Sequence, residues 1–297
     1  MAERSISVSI PENLKDVASG NPSSFVQGLL NGYTDLYADS GDFEKMQKRV
    51  HKFRDLTVVD LVGELKMVIA CDSNAGCGEK PGDHFRWPYE TAVKSMLKVP
   101  LMEVLASGAA PVLIIDNLCV EMEPTGKKII GYMRNQLREF GLNPDVQLTG
   151  STEDNAKTTQ TGTGTTVIGL AAERGLKLGK ARKGDLVVCV GNPKGGADSP
   201  YTEDDTDIST VRTVLTLSSL PFVHEILPVG SHGVRYEATE LAKYVDASFR
   251  LFTEDVPIRL DGSAGASTAV LVSIDKGDLD ALTKAVPIPV LSIGTIE

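Results

Sequence analysis

Five acidic residues stand where elements of this chain begin or end, and their chemistry poses the first question. Asp55 precedes one apolar run and Asp72 follows the next; Glu103 lies in Leu101-Met-Glu-Val-Leu-Ala-Ser-Gly-Ala-Ala-Pro111, and Glu153 and Asp154 follow a run ending at Thr149. Carboxylates of this kind hold magnesium together with waters and nucleotide phosphates, and the cation neutralises charge on a transferred phosphoryl group. Acids at element ends are also turn and cap residues, so among 40 acidic side chains position alone leaves both readings open. Gly191-Asn-Pro-Lys-Gly-Gly196 offers backbone N–H groups and the Lys194 ammonium to an anion, although such a turn after a strand is ordinary. Thr161-Gly-Thr-Gly-Thr-Thr166 lacks the Gly-Lys-Ser/Thr ending of a P-loop and runs into a strand, so it reads as turn and strand edge. His51 and His224 fall in structural settings, whereas His84 and His232 lie in loops beside Gly and Ser without forming a triad pattern. Trp87 and Tyr89 follow Asp72 on a loop, where core packing and stacking on an aromatic substrate are both open to them.

The elements that must position these groups follow from periodicity. Phe43, Met46, Val50 and Phe53 recur at helical intervals, which predicts a helix over 43–53. β-branched runs at 56–62 and 65–71 with Gly63-Glu64 between them predict a hairpin. A Gly/Pro-rich loop over 73–88 leads to a helix over 89–107, expected to break at Pro100. A strand at 111–118, a helix at 126–140 and strands at 146–149 and 163–169 complete the first half. Lys177 to Lys183 is a basic connection, and 185–190 opens a second half in which helices at 207–217, 237–245 and 278–285 alternate with strands at 267–274 and 290–293. The pattern predicts an α+β protein of two domains, 1–176 and 177–297, with mixed sheets covered by helices on one face.

Composition narrows the function. At 41% hydrophobic and 24% charged, the 297 residues suit a globular chain. A net charge of −10 without a basic aromatic stripe argues against nucleic acid as a partner. Cys71, Cys77, Cys119 and Cys189 have no zinc-like spacing, and three of them fall in apolar runs, the pattern of small buried hydrophobes in a reducing compartment. The start, Met1-Ala-Glu-Arg-Ser-Ile, lacks a signal-peptide pattern and no run reaches transmembrane length, so a cytoplasmic protein without a membrane partner is expected.

Val68-Ile-Ala-Cys-Asp72, Asp83-His84-Phe85, Leu97 to Pro111, Gly150-Ser-Thr-Glu-Asp154, Lys183-Gly-Asp-Leu-Val187 and Ser231-His-Gly-Val234, in that order along most of the chain, resemble the aminoimidazole ribonucleotide synthetase-like superfamily, which includes thiamine-monophosphate kinase, selenophosphate synthetase and the hydrogenase maturation dehydratase. Val68-Ile-Ala-Cys-Asp72 followed by Asp83-His84-Phe85 resembles its strand, Thr-Asp, loop and His-Phe segment. Leu97 to Pro111 is similar to its helix ending in Asn-Leu-Ser-Asp and Met-Gly-Ala-x-Pro; Gly150-Ser-Thr-Glu-Asp154 stands at its Gly-Gly-Asp-Thr, Lys183-Gly-Asp-Leu-Val187 at the opening of its second domain and Ser231-His-Gly-Val234 at its Ser-Asp-Gly-Leu. Seventeen positions separate Asp55 from Asp72, as in the family's paired aspartates and Thr-Asp. The resemblance implies a homodimer with N-terminal sheets paired into a barrel, and ATP bound with Mg2+ along that interface. It assigns Asp55, Asp72, Glu103, Glu153 and Asp154 to the metal, and these with Gly150 to the nucleotide.

Departures shape the expected substrate. Glu103 replaces an Asp, Ser151 and Thr152 interrupt Gly-Gly-Asp, and His232 replaces an Asp that meets substrate, so an acceptor unlike thiamine phosphate is implied. The absence of a reactive N-terminal Cys and of a terminal Cys disfavours the selenophosphate and hydrogenase-maturation activities. Arg54-Asp-Leu-Thr57, Cys71-Asp-Ser-Asn-Ala-Gly76 and Leu101-Met-Glu-Val-Leu-Ala106 are most similar to the α-ribazole kinase group, which implies γ-phosphoryl transfer from ATP to the 5′-hydroxyl of α-ribazole in cobamide salvage. Catalytic roles then fall to Asp72, His232 and Lys194, and substrate contacts to Trp87, Tyr89, His84 and His232. A synthetase that phosphorylates an amide-type oxygen, and a nucleotide-binding subunit without catalysis, are the competing readings.

Overall fold

The computed structural model describes residues 22–196 and 199–297; the reading of residues 1–21 lies outside them. In chain order the elements are α1 (Pro22–Asp39), α2 (Phe43–Gln47), β1 (Val50–Phe53), β2 (Leu56–Asp60), β3 (Leu65–Ala75), β4 (Cys77–Gly78), β5 (Phe85–Arg86), α3 (Tyr89–Ala106), β6 (Ala110–Leu118), α4 (Lys127–Glu139), α5 (Pro144–Gln147), β7 (Leu148–Thr152) and β8 (Gly162–Ala172). The chain then crosses to β9 (Leu186–Val190), α6 (Val211–Ser219), β10 (Val223–Pro228), α7 (Val234–Lys243), β11 (Phe249–Leu251), β12 (Val270–Ile274), α8 (Leu279–Ala285) and β13 (Val290–Ile296).

Two sequence expectations change at the site's foundations. The helix predicted over 43–53 stops after α2, whose first turn is capped by the Asp42 carboxylate accepting from the Lys45 amide. Val50 pairs instead with Val59 and Phe53 with Leu56, because the two residues between the strands close a hairpin and β-branched Val50 suits it. Pro100 does not break α3. Its missing N–H and ring clash cost about 3 kcal/mol, which the burial of Leu97, Leu101, Met102 and Val104, all without exposure, outweighs.

The first sheet runs β1-β2-β3-β8-β6-β7, antiparallel except for the β6–β7 pair, and the second runs β10-β12-β9-β13-β11, antiparallel throughout. Val68, Ala70, Ile114 and Val167 form the inner face of the first sheet under α3 and α4. α3 also meets α6 and β10, so Leu97 and Leu101 share one core with Val188, Val190, Val214 and Ile226 of the second sheet's side. Helices on one face describes the first sheet. In the second, β9 is buried on both faces: Val187 and Cys189 turn the other way and pack with Val234, Ala238 and Leu241 of α7. Burial pushes the Cys189 thiol up to about 12, which suits an inert small hydrophobe. Cys77 is buried too, but Cys71 and Cys119 are exposed, Cys71 because it alternates with the inward Ala70 along β3.

Candidate active site

Asp55 is set by a two-residue turn. Phe53 faces Leu56, leaving Arg54 and Asp55 to reverse the chain, and Arg54 takes φ +51°, where non-glycine residues are uncommon. The second half holds it there. The Arg54 amide donates to the Tyr244 hydroxyl at 2.7 Å, its guanidinium lies 4.8 Å from the Phe53 ring and 5.1 Å from the Tyr244 ring, and Nη2 donates to Glu225 at 2.6 Å. Glu225 is fully buried and also accepts from the amides of Gly179, Lys180 and Ala181 at 3.0, 2.8 and 2.9 Å. The turn carrying Asp55 is therefore fastened to β10, the end of α7 and the connection between the halves.

Asp72 follows Val68 and Ala70 on the inner face of β3, and Glu103 projects from the last full turns of α3. All three carboxylates line a cavity of about 670 Å³ whose opposite wall comes from the second half, with Gly230, Ser231, Gly265 and Ser267. Phe85, Trp87, Val99 and Tyr201 give the same cavity an apolar side. Burial, then Asp55 and Glu237, raises the Glu103 carboxyl to about 8, against a smaller lowering by Arg54. Glu237 of α7, buried and also facing Asp55, is raised to about 7, chiefly by burial. Burial likewise raises Asp72, against a bond from the Ser73 amide. The Glu103 carboxyl sits in the field of Asp55, Glu237 and Asp72, oxygen donors of the kind magnesium takes; among the described residues the trio whose ligand atoms lie within 4.8 Å of one another is Asp185, His224 and Asp275 instead.

This geometry predicts a pH dependence. A carboxyl whose folded pKa is raised binds its proton more tightly when folded, so its contribution is complete below about pH 4.5 and is lost as pH climbs through the folded values of about 7 and 8. The melting temperature of wild type relative to Glu103→Gln is therefore expected to fall between about pH 5 and pH 8, and millimolar magnesium is expected to restore it. Parallel melting curves for the two proteins across that range, read by calorimetry, contradict the cluster.

The other sequence-derived candidates separate. Trp87 lines the cavity with Phe85, ring centroids 5.8 Å apart. Tyr89 is buried at the start of α3 and takes the packing role. His84 lies edge-on to Phe85 at 4.8 Å, and His232, exposed, stacks on Tyr236 at 4.6 Å beside the cavity residue Ser231. Lys194 does not line the cavity: its ammonium donates to Asp205 and Asp207 at 2.9 and 2.7 Å, and its backbone is bonded to Thr268. Glu153 and Asp154 also stand outside it. Glu153 accepts from the Asn155 amide at 2.7 Å, and Asp154 accepts from the Met122 amide at 2.7 Å and Thr152 Oγ1 at 3.1 Å, so both close turns. Gly150 lies opposite Asp116, where a Cβ would overlap the carboxylate. His51 and His224 pair with Asp60 and Asp185 at 2.9 and 2.8 Å. Glu237 escaped the sequence reading, although a charge among the buried helix positions Val234, Ala238 and Leu241 marks it.

No family model and no curated protein matches this chain. Solved structures do. A thiamine-monophosphate kinase from Stenotrophomonas maltophilia K279a superposes with a TM-score of 0.58 at 14% identity over 88% of this chain and 91% of its own. The hydrogenase maturation protein HypE in complex with ATP gives 0.56 at 17% identity over 95% and 88%. The fold is aminoimidazole ribonucleotide synthetase-like. AaThiL complexed with AMPPCP and TMP shares this fold, with a TM-score of 0.57 at 13% identity over 82% of this chain and 84% of its own. The resemblance read from the motifs is thus borne out at the level of the fold. No helix among the described residues is long and apolar enough to cross a membrane.

Proposed function

We propose that this chain is an ATP- and magnesium-dependent small-molecule kinase that transfers the γ-phosphoryl of ATP to the 5′-hydroxyl of a nucleoside of the α-ribazole type. The observation that carries the reading is the division of one cavity into a carboxylate side, Asp55, Asp72 and Glu103 with Glu237 behind Asp55, and an aromatic side, Phe85, Trp87 and Tyr201. Proteins of the same fold bound to ATP, or to AMPPCP and TMP, support a nucleotide there. Magnesium bound by these carboxylates would supply charge neutralisation to the phosphates and the transferred group. The chain's own part is positioning: the Arg54–Glu225 contact fixes Asp55, β3 fixes Asp72 and α3 fixes Glu103. Phe85 and Trp87 offer faces to a flat ring, and second-half groups at Gly230, Ser231 and Gly265 close the other side. Phosphoryl transfer so arranged needs no strong general base. Lys194, committed to Asp205 and Asp207, holds the loop in shape, and His232 is exposed beside the cavity residue Ser231.

Incubation with ATP, magnesium and a panel of nucleosides including α-ribazole tests the reading. A phosphorylated nucleoside with matching ADP, identified by mass, is expected; free phosphate with an unphosphorylated acceptor would point to the synthetase reading, and absence of turnover with the whole panel would defeat the kinase.

The reading includes a homodimer formed through the first sheet. Met67 and Ile69 of β3, Ile168 and Leu170 of β8 and Leu113 and Ile115 of β6 lie half-buried on the face opposite α3, which no helix among the described residues covers, an apolar surface suited to a second copy. Ile69→Glu is expected to convert a dimer into a monomer in sedimentation velocity; an unchanged sedimentation coefficient counts against this face.

A further inference from the structure

β6 turns Ile114, Asp116 and Leu118 towards the helices, and their exposures are 0%, 3% and 2%. An acid at the middle of such an apolar alternation is costly unless something pairs with it. Among the described residues only its own amide serves the Asp116 carboxylate. Neighbouring acids are all engaged: Glu121 by Lys80 and Thr125, Asp154 by the Met122 amide and Thr152, and Asp145 by Arg134. Space for the carboxylate comes from Gly150, its register partner on the edge strand β7, where any Cβ would collide with Oδ1. It opens on a cavity of about 350 Å³ between β7 and α4, with Met122, Ile130 and Leu148 on one part of its wall, Thr149, Ser151 and Thr152 on another and Arg134 alongside. This cavity shares no lining residue with the carboxylate cavity.

We propose that the β7–α4 cavity binds an organic ammonium group, with Asp116 as its counter-ion and Met122, Ile130 and Leu148 receiving the attached carbon skeleton. A bare hard cation is held by six or more oxygens, usually with several carboxylates among them, whereas here a single carboxylate stands with Thr149, Ser151 and Thr152 against three apolar side chains. An alkylammonium satisfies both parts of the cavity at once. Arg134 does not fill the role, because its guanidinium is held by Asp145.

The test is a titration of the full chain, carrying 13C-labelled aspartate, with methylammonium, butylammonium and potassium chlorides. Saturable shifts of the Asp116 carboxyl are expected with the two amines, tighter for butylammonium, and none with potassium. Asp116→Asn is expected to weaken butylammonium at least tenfold while melting at the same or a higher temperature, since a buried unpaired charge has been removed. Arg134→Gln, which keeps the carboxylate, is expected to bind butylammonium as tightly or more so. Equal affinity in Asp116→Asn, a lowered melting temperature in that variant, loss of binding in Arg134→Gln, or potassium saturating like the amines would each overturn the proposal.

Discussion

Asp72→Asn is expected to lower magnesium-dependent turnover of ATP by at least about a hundredfold while leaving the chain folded. Asp72 stands in a central strand, paired through its backbone to Thr165 of β8, and Asn keeps that pairing and the side-chain volume. What the substitution removes is one of the charges that face the cation position. The same charge is among those that raise Glu103, so its loss eases protonation strain in the metal-free protein and stability is expected to hold or rise slightly. Calorimetric titration with magnesium chloride should therefore show weakened binding beside an unchanged or higher melting temperature. Wild-type magnesium affinity in the variant would remove Asp72 from the site. A collapse of the melting temperature would instead make it a structural acid.

The elements that carry Asp72 and Glu103 were readable in the residues because both are strongly patterned. β3 and α3 follow from β-branched alternation and from a long apolar run, and the inward phase of each sets Asp72 in line with Val68 and Ala70 and Glu103 between Met102 and Val104. Asp55 is different. The spacing of Phe43, Met46, Val50 and Phe53 suggested one helix, yet the hairpin β1–β2 forms because its turn is locked from 190 positions away by Tyr244, a contact that local periodicity cannot register. Glu237 and Asp116 hid for a related reason. Each interrupts an apolar face, α7 in one case and β6 in the other, and an acid in such a face is visible as an exception only when the face is already known to be inward. Glu153 and Asp154 entered the candidate set by motif position and Lys194 by its glycine-rich turn, and in the structure two turn amides, a threonine hydroxyl and a pair of aspartates bond to them outside the carboxylate cavity.

Glu225→Ala is expected to cost about 3–5 kcal/mol of stability, and Arg54→Ala considerably less, although the two residues form one ion pair. The asymmetry follows from the partners left behind. Glu225 has no exposure and collects four donors, three of them backbone amides of the connection between the halves. Without its carboxylate those amides and the nearly buried guanidinium all lose an acceptor. Without Arg54, by contrast, Glu225 keeps the three amides, a number sufficient to stabilise an ionised buried carboxylate, and the loss also removes a guanidinium whose Nε has no partner. Urea denaturation of both variants measures the difference; equal costs would mean that the amides contribute little and that the pair alone is the fastening. The two variants should nonetheless agree in one respect. Either releases the turn at Asp55, so magnesium affinity is expected to fall in both, and in Arg54→Ala it should do so even though removing a positive charge near the carboxylates would by itself strengthen cation binding. A weaker affinity there is thus the signature of lost positioning rather than of altered charge.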